Sequence, residues 1–215
     1  MVRVAIFDLD GTLLNTLADL ADSCNAALSH VGFPARSSEE IRRFVGNGLE
    51  RLMERAIPGG RACVRFDECL GVMRAHYAAN CCNKTVPYDG VLALLATLKG
   101  RGVRCAVVSN KPDAQVKELC RTYFAEYVDA RCALGDAQGR RRKPAADSLL
   151  EVMRVLGVPP DAVVYVGDSE VDLQTARNAG VPCVSATWGF REEAFLVQHG
   201  ANALAHTPAD VLRYI

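Results

Sequence analysis

The chain has 215 residues, half of them apolar, enough to bury a core as one large domain or two small ones. Lys+Arg and Asp+Glu both number 25, so no global field recruits nucleic acid or an anionic membrane, and an anionic ligand has to be held locally. No leader-like segment opens the chain, no stretch approaches the roughly 20 apolar residues of a membrane span, and nine cysteines without C-x-x-C or zinc spacing read as reduced thiols; the expectation is a soluble, cytoplasmic protein.

Taken in chain order, Val2–Phe7 is apolar apart from Arg3, too short for a typical helix, and runs straight into Asp8-Leu9-Asp10-Gly11-Thr12. This suits a buried strand entering a loop. From Thr16 to Asn83 nothing reads as a buried strand, whereas Leu17, Leu20, Ala21, Cys24, Ala27, Leu28 and Val31 recur at helical spacing. Ser37-Ser38-Glu39-Glu40 fits a capping box that starts a second helix. Gly46-Asn47-Gly48 separates it from a third over Leu49–Ala56, and a last helix covers about Phe66–Ala79. Beyond residue 83 strand-like runs return at Val103–Val108, Val163–Val166 and Val181–Ser185. They alternate with helical segments at Gly90–Lys99, Asp113–Thr122, Ala146–Leu156 and Asp172–Ala179, with Gly100, Gly157 and Gly180 as stop signals. Alternation of this kind predicts an α/β fold, a doubly wound Rossmann-like parallel sheet. The expected organisation is a core of 1–15 and 84–215 with an all-helical cap of 16–83, inserted after the first strand and placed as a lid at the strand ends.

Four short motifs follow strands or open helices, and their chemistry converges on a phosphoryl group. Asp8 and Asp10, two residues apart, can point to one side of an extended segment above a turn at Gly11. One carboxylate can attack phosphorus while the other trades a proton; the alternative is a turn with two solvated aspartates. Ser109-Asn110 offers a hydroxyl and amide donors at a strand end, although the same pair is common turn chemistry. Lys143, closing the run Arg140-Arg141-Arg142-Lys143, can neutralise phosphate oxygens as they take up charge. Gly167-Asp168-Ser169-Glu170-Val171-Asp172 supplies hard oxygen ligands without His or Cys, which suits Mg2+. Asp168 is the direct ligand of choice; Asp172 either binds metal or caps the next helix. Trp188 and His76 read as packing residues.

In this order FDLDGTL, VVSNKP, a Lys-Pro and VGDSEVDLQTARNAG resemble the haloacid dehalogenase superfamily, specifically its phosphatases with a helical cap. The resemblance implies Asp8 as nucleophile and Asp10 as general acid and then base. It implies Mg2+ on the Asp8 carboxylate, the Asp10 carbonyl and Asp168, and substrate held by Thr12, Ser109, Asn110 and Lys143. Asp10 separates the chain from dehalogenases. The absence of a histidine in Leu17–Leu28 separates it from phosphoglucomutase-like members, and the absence of a lysine from Thr16 to Cys82 from phosphonatase-like ones. Gly46-Asn47-Gly48, Ser109-Asn110-Lys111-Pro112 and Thr187-Trp188-Gly189-Phe190 bring the closer likeness to phosphoglycolate phosphatases, with Gly46 at the substrate. The expected partner is a small phosphorylated metabolite. Pyrophosphate or a sugar phosphate as substrate, or a non-catalytic module that binds a phosphorylated ligand, remain as alternatives. Asn15-Thr16 departs from the Asp-Ser found in many relatives.

Overall fold

Val4–Phe7 (β1) is the spine of a parallel sheet because it is apolar on both faces and fully buried. It pairs on one side with Arg104–Pro112 (β4) and on the other with Val163–Gly167 (β6), Val4 lying opposite both Arg104 and Val163. A computed structural model describes residues 2–215. The sheet is completed by Val128–Asp136 (β5), Cys183–Ala186 (β7) and Leu204–Ala205 (β8), in the order β5-β4-β1-β6-β7-β8. The chain winds outward from β1 through β4 to β5, then returns to the far side of β1. That reversal opens a crevice at the carboxyl ends of β1, β4 and β6.

Two compact units make up the chain: Met1–Leu14 with Pro87–Ile215, and Asn15–Val86. Their junctions fall in a pair of two-residue strands, Leu14–Asn15 (β2) and Val86–Pro87 (β3). In the sheet unit, one face of β1, β4 and β6 (Val4, Ile6, Ala106, Val108, Val163, Tyr165) packs on Leu149, Val152 and Met153 of Asp147–Leu156 (α7) and on Ala176 and Ala179 of Glu170–Ala179 (α8). The alternate residues, among them Ala5, Phe7, Val107, Val164 and Val166, are buried as well. Val91–Gly100 (α5) and Asp113–Phe124 (α6) pack against β4. Both faces are thus covered, as a parallel sheet requires.

The second unit is helical: Leu17–His30 (α1), Ser38–Phe44 (α2), Gly48–Ala56 (α3) and Phe66–Asn80 (α4). The capping box read at Ser37 is formed, Ser37 Oγ accepting from the Glu40 N–H while the Glu40 carboxylate accepts from the Ser37 N–H. Asp19, buried on α1, accepts hydrogen bonds from the N–H groups of Lys84 and Thr85 and from the Thr85 hydroxyl at 2.8–3.0 Å, tying the returning chain to the first helix. His76 bonds to Ser23 across α1 and α4, a packing role. The last α-helix of the sheet unit, Glu193–Gln198 (α9), follows β7, and a 3-10 helix at Pro208–Tyr214 comes after it.

β4 and β5 differ from expectation. β4 does not end at Val108 but continues through the Ser109-Asn110-Lys111-Pro112 stretch, because β5 pairs alongside it as far as Pro112 and Asp136. β5 itself has no strand-like signature, since its first half is polar and exposed on the sheet edge. Gly100 lies within α5, whereas Gly157 and Gly180 take the left-handed conformation and cap α7 and α8.

Candidate active site

The carboxyl ends of β1, β4 and β6 bring together side chains from all four motifs. Asp8 follows β1, its N–H continuing the sheet by donating to the Val166 carbonyl at 2.8 Å. Lys143, from the loop between β5 and α7, is buried with its Nζ 3.0 Å from Asp8 Oδ1 and 2.7 Å from Asp172 Oδ1, and it donates to the Tyr165 hydroxyl at 3.0 Å. Those three acceptors use all three ammonium protons. Burial works to lower the Lys143 pKa, but the carboxylates of Asp172 and Asp8 outweigh it and hold the group above its ordinary value.

Asp172 does more than cap a helix. Its Oδ2 accepts from the Ser169 hydroxyl at 2.6 Å and the Ser169 N–H at 3.1 Å, closing a capping box on α8, while Oδ1 takes Lys143 and the Tyr165 hydroxyl. With both oxygens so engaged, its first role is as counter-ion to Lys143. Asp168 is held by the Phe190 N–H at 2.7 Å and the Thr12 hydroxyl at 3.3 Å. Here glycine is required twice. A Cβ on Gly11, whose φ is +85°, or on Gly189 would run into the Asp168 side chain, and on Gly189 into the Gly11 carbonyl as well. The Trp188 indole N–H donates to the Thr12 carbonyl at 3.0 Å, which pins the same loop and agrees with a packing role.

The ligand oxygens of Asp8, Asp168 and Asp172 all lie within 4.8 Å of one another. Burial pushes the Asp8 carboxyl up to about 7; Lys143 pulls against this, and Asp172 and Asp10 add to it. Asp168 is raised well above the carboxylate range by burial, then by Asp172 and Asp8, with the Phe190 N–H and Arg191 opposing. Three buried carboxylates thus crowd together, and the enclosed Lys143 ammonium pairs with two of them, Asp8 and Asp172. An all-oxygen set with excess negative charge fits a hard divalent cation.

The Asn110 side chain, expected on the phosphate, also braces the Lys143 backbone: its Nδ2 donates to the Lys143 carbonyl at 3.1 Å and its Oδ1 accepts the Lys143 N–H at 2.8 Å. It places the lysine. Ser109 Oγ accepts from the Lys111 N–H at 3.3 Å, and Asp10 Oδ1 lies 2.7 Å from Lys111 Nζ. Gly46 belongs to the helical unit, between α2 and α3, with φ +123°. Tyr165 was not singled out from sequence, and Lys111 was read only as part of the Ser109-Asn110-Lys111-Pro112 motif, without a role of its own. A tyrosine inside an otherwise aliphatic buried strand needs a partner for its hydroxyl, and that was the available signal.

The sequence model of the haloacid dehalogenase-like hydrolases matches residues 5–186. The chain belongs to this family. Among its relatives is a phosphoglycolate phosphatase of Pseudomonas putida, 35% identical over 217 residues that cover 98% of this chain and 76% of the relative. A crystal structure of a candidate phosphoglycolate phosphatase from Lactobacillus delbrueckii subsp. bulgaricus superposes with a TM-score of 0.93 at 37% identity, covering 99% of this chain and 98% of the other. The crystal structure of CbbY from Rhodobacter sphaeroides in complex with phosphate superposes with a TM-score of 0.75 at 26% identity, over 98% of this chain and 96% of that one. This haloacid dehalogenase-like hydrolase is therefore an enzyme similar to phosphatases of the family, and it shares their α/β sheet architecture.

Proposed function

We propose that this hydrolase is a Mg2+-dependent phosphomonoesterase that works through an aspartyl-phosphate on Asp8, with phosphoglycolate as its preferred substrate. The observation that carries the reading is the Lys143 ammonium set between Asp8 at 3.0 Å and Asp172 at 2.7 Å, with Asp168 beside them and Asp10 two residues on. The phosphate-bound relative and the phosphoglycolate phosphatases of similar sequence support it.

The Asp8 and Asp168 carboxylates, with the Asp10 carbonyl, would hold Mg2+, which supplies positive charge to phosphoryl oxygens and offsets the crowded carboxylates. Lys143, kept charged by its neighbours, exchanges its contact with Asp8 for one with the phosphate and holds it in line with Asp8. Asp8 attacks phosphorus as the ester P–O bond breaks, and Asp10 gives its proton to the departing alkoxide. Asp10 then takes a proton from a water molecule that attacks phosphorus, freeing Asp8 and inorganic phosphate. Ser109 and Thr12 complete the phosphate and Asp168 surroundings.

Phosphate being read by the sheet unit, the choice of leaving group falls to the helical unit acting as a lid, with Gly46 at the turn that offers backbone N–H groups to a small anion. Nine cysteines, all free, support a reducing cytoplasmic setting. The test is phosphate release from phosphoglycolate, pyrophosphate, sugar phosphates and nucleotides, with and without Mg2+, ranked by kcat/KM. Phosphoglycolate should lead. No release from any of them would leave the fold as a phospho-ligand-binding module, and a different leader would reassign the substrate while keeping the chemistry.

A further inference from the structure

We propose that Lys111 is the positioning residue for Asp10, and that through Asp10 it governs proton delivery to the leaving group. The inference rests on the phosphatase reading above.

The side chain of Lys111 is only 1% exposed, yet its Nζ meets Asp10 Oδ1 at 2.7 Å. Lysine is almost never enclosed in this way unless it is paired. Its backbone is equally confined. The Lys111 N–H donates to Ser109 Oγ, and the facing residue on β5 is Gly135, where a Cβ would stand 2.6 Å from the Lys111 carbonyl oxygen and 2.5 Å from the Asp113 Cα. Strand and side chain together leave the ammonium little freedom. The two carboxylates of the first motif are therefore served by separate ammonium groups from separate elements: Asp8 by Lys143 and Asp10 by Lys111. The separation has a chemical use. Lys143 already spends its protons on Asp8, Asp172 and Tyr165, so an unanchored Asp10 would be free to swing as a flexible acid beside a strong field. Anchored, it keeps one rotamer while its side chain stays 15% exposed, open to a substrate oxygen or to water. A proton donor has to sit within hydrogen-bond reach of the atom that it serves, and a misplacement of 1 Å can cost about a hundredfold.

The experiment measures kcat/KM of Lys111→Met on two substrates: phosphoglycolate, whose alkoxide needs the proton, and p-nitrophenyl phosphate, whose phenolate leaves without it. The expected result is a loss of about 10²-fold on phosphoglycolate and of less than about tenfold on p-nitrophenyl phosphate. In an Asp10→Asn background the same substitution should cost no more than about twofold further on phosphoglycolate. Circular dichroism and Tm establish that the variants fold; if Lys111→Met does not, Lys111→Gln, which keeps a neutral donor, is read on the same two ratios. Equal losses on both substrates, or fully additive losses in the double variant, overturn the inference. So does a rise in KM for phosphoglycolate alone with kcat unchanged, since that outcome places Lys111 on the substrate carboxylate. Wild-type protein inactive on every phosphate ester overturns the phosphatase reading itself, and this inference with it; active wild type with an unchanged Lys111→Met ratio overturns the inference alone.

Discussion

Gly189→Ala should damage the enzyme although Gly189 donates nothing to the chemistry. A Cβ there would stand 2.5 Å from Asp168 Oδ2 and closer still to Asp168 Cβ and the Gly11 carbonyl oxygen. Ordinary contact begins near 3.5 Å, so the neighbours must yield by about 1 Å. Gly11 is the poorer candidate to move, because its N–H is bonded to the Leu14 carbonyl at 2.9 Å within a tight turn. Asp168 therefore shifts and strains its bonds to the Phe190 N–H and the Thr12 hydroxyl. Overpacking of this kind costs about 1–3 kcal/mol. At roughly 2–4 °C per kcal/mol for a chain of this size, Tm should fall by a few to about 12 °C. With Asp168 the proposed Mg2+ ligand, its displacement should raise the Mg2+ concentration for half-activation by about 10–100-fold and lower kcat/KM by about a hundredfold. The matched control is Gly71→Ala, within α4, where a Cβ meets nothing within 4 Å. It should keep full activity and gain about 0.5–1 kcal/mol of stability. Metal titration of phosphate release and thermal melting, run in parallel, decide the matter: a Gly189→Ala protein with wild-type half-activation and kcat/KM would refute the reasoning.

Asp8→Asn should abolish steady-state turnover with circular dichroism unchanged; measurable turnover in a pure, folded sample removes Asp8 as nucleophile. Chelation with EDTA should stop phosphate release and Mg2+ should restore it, with Ca2+ a poor substitute because its looser coordination relaxes the in-line geometry; activity that survives exhaustive chelation contradicts the metal assignment. Asp19→Ala strips the acceptor from two N–H groups and a hydroxyl, the Thr85 groups among them buried, and should cost about 2–4 kcal/mol, seen as a lower melting point and faster amide exchange at Thr85; a change under 1 kcal/mol would show that water replaces the carboxylate. Gly46→Val should change the ranking of phosphoglycolate, a sugar phosphate and a nucleotide by kcat/KM while aspartyl-phosphate still forms. If the three ratios stay constant, Gly46 does not select substrate.

The residues whose roles depend on local chain geometry were open to reading in one dimension. Asp8 and Asp10 stand on a turn after an all-apolar strand, Ser37 and Glu40 close a capping box, and Gly157 and Gly180 stop helices, because each of these is decided by neighbours a few positions away. The alternation of strand-like and helical segments likewise carried the parallel α/β architecture, since period and burial are written in the apolar pattern. Edge strand β5 escaped because half of it faces solvent and carries no such pattern. Tertiary pairing against it then kept Ser109–Pro112 extended beyond the strand end expected at Val108. The site's internal bookkeeping was also out of reach. Asn110 bonded to the Lys143 backbone, Tyr165 joined Lys143 to Asp172, and Lys111 met Asp10 from 101 positions away. These partners meet only because the crossovers of the sheet bring the ends of β1, β4 and β6 together. A one-dimensional sequence states which groups are available, but which acceptor each buried ammonium takes is settled by competition among acceptors within a few ångströms in three dimensions.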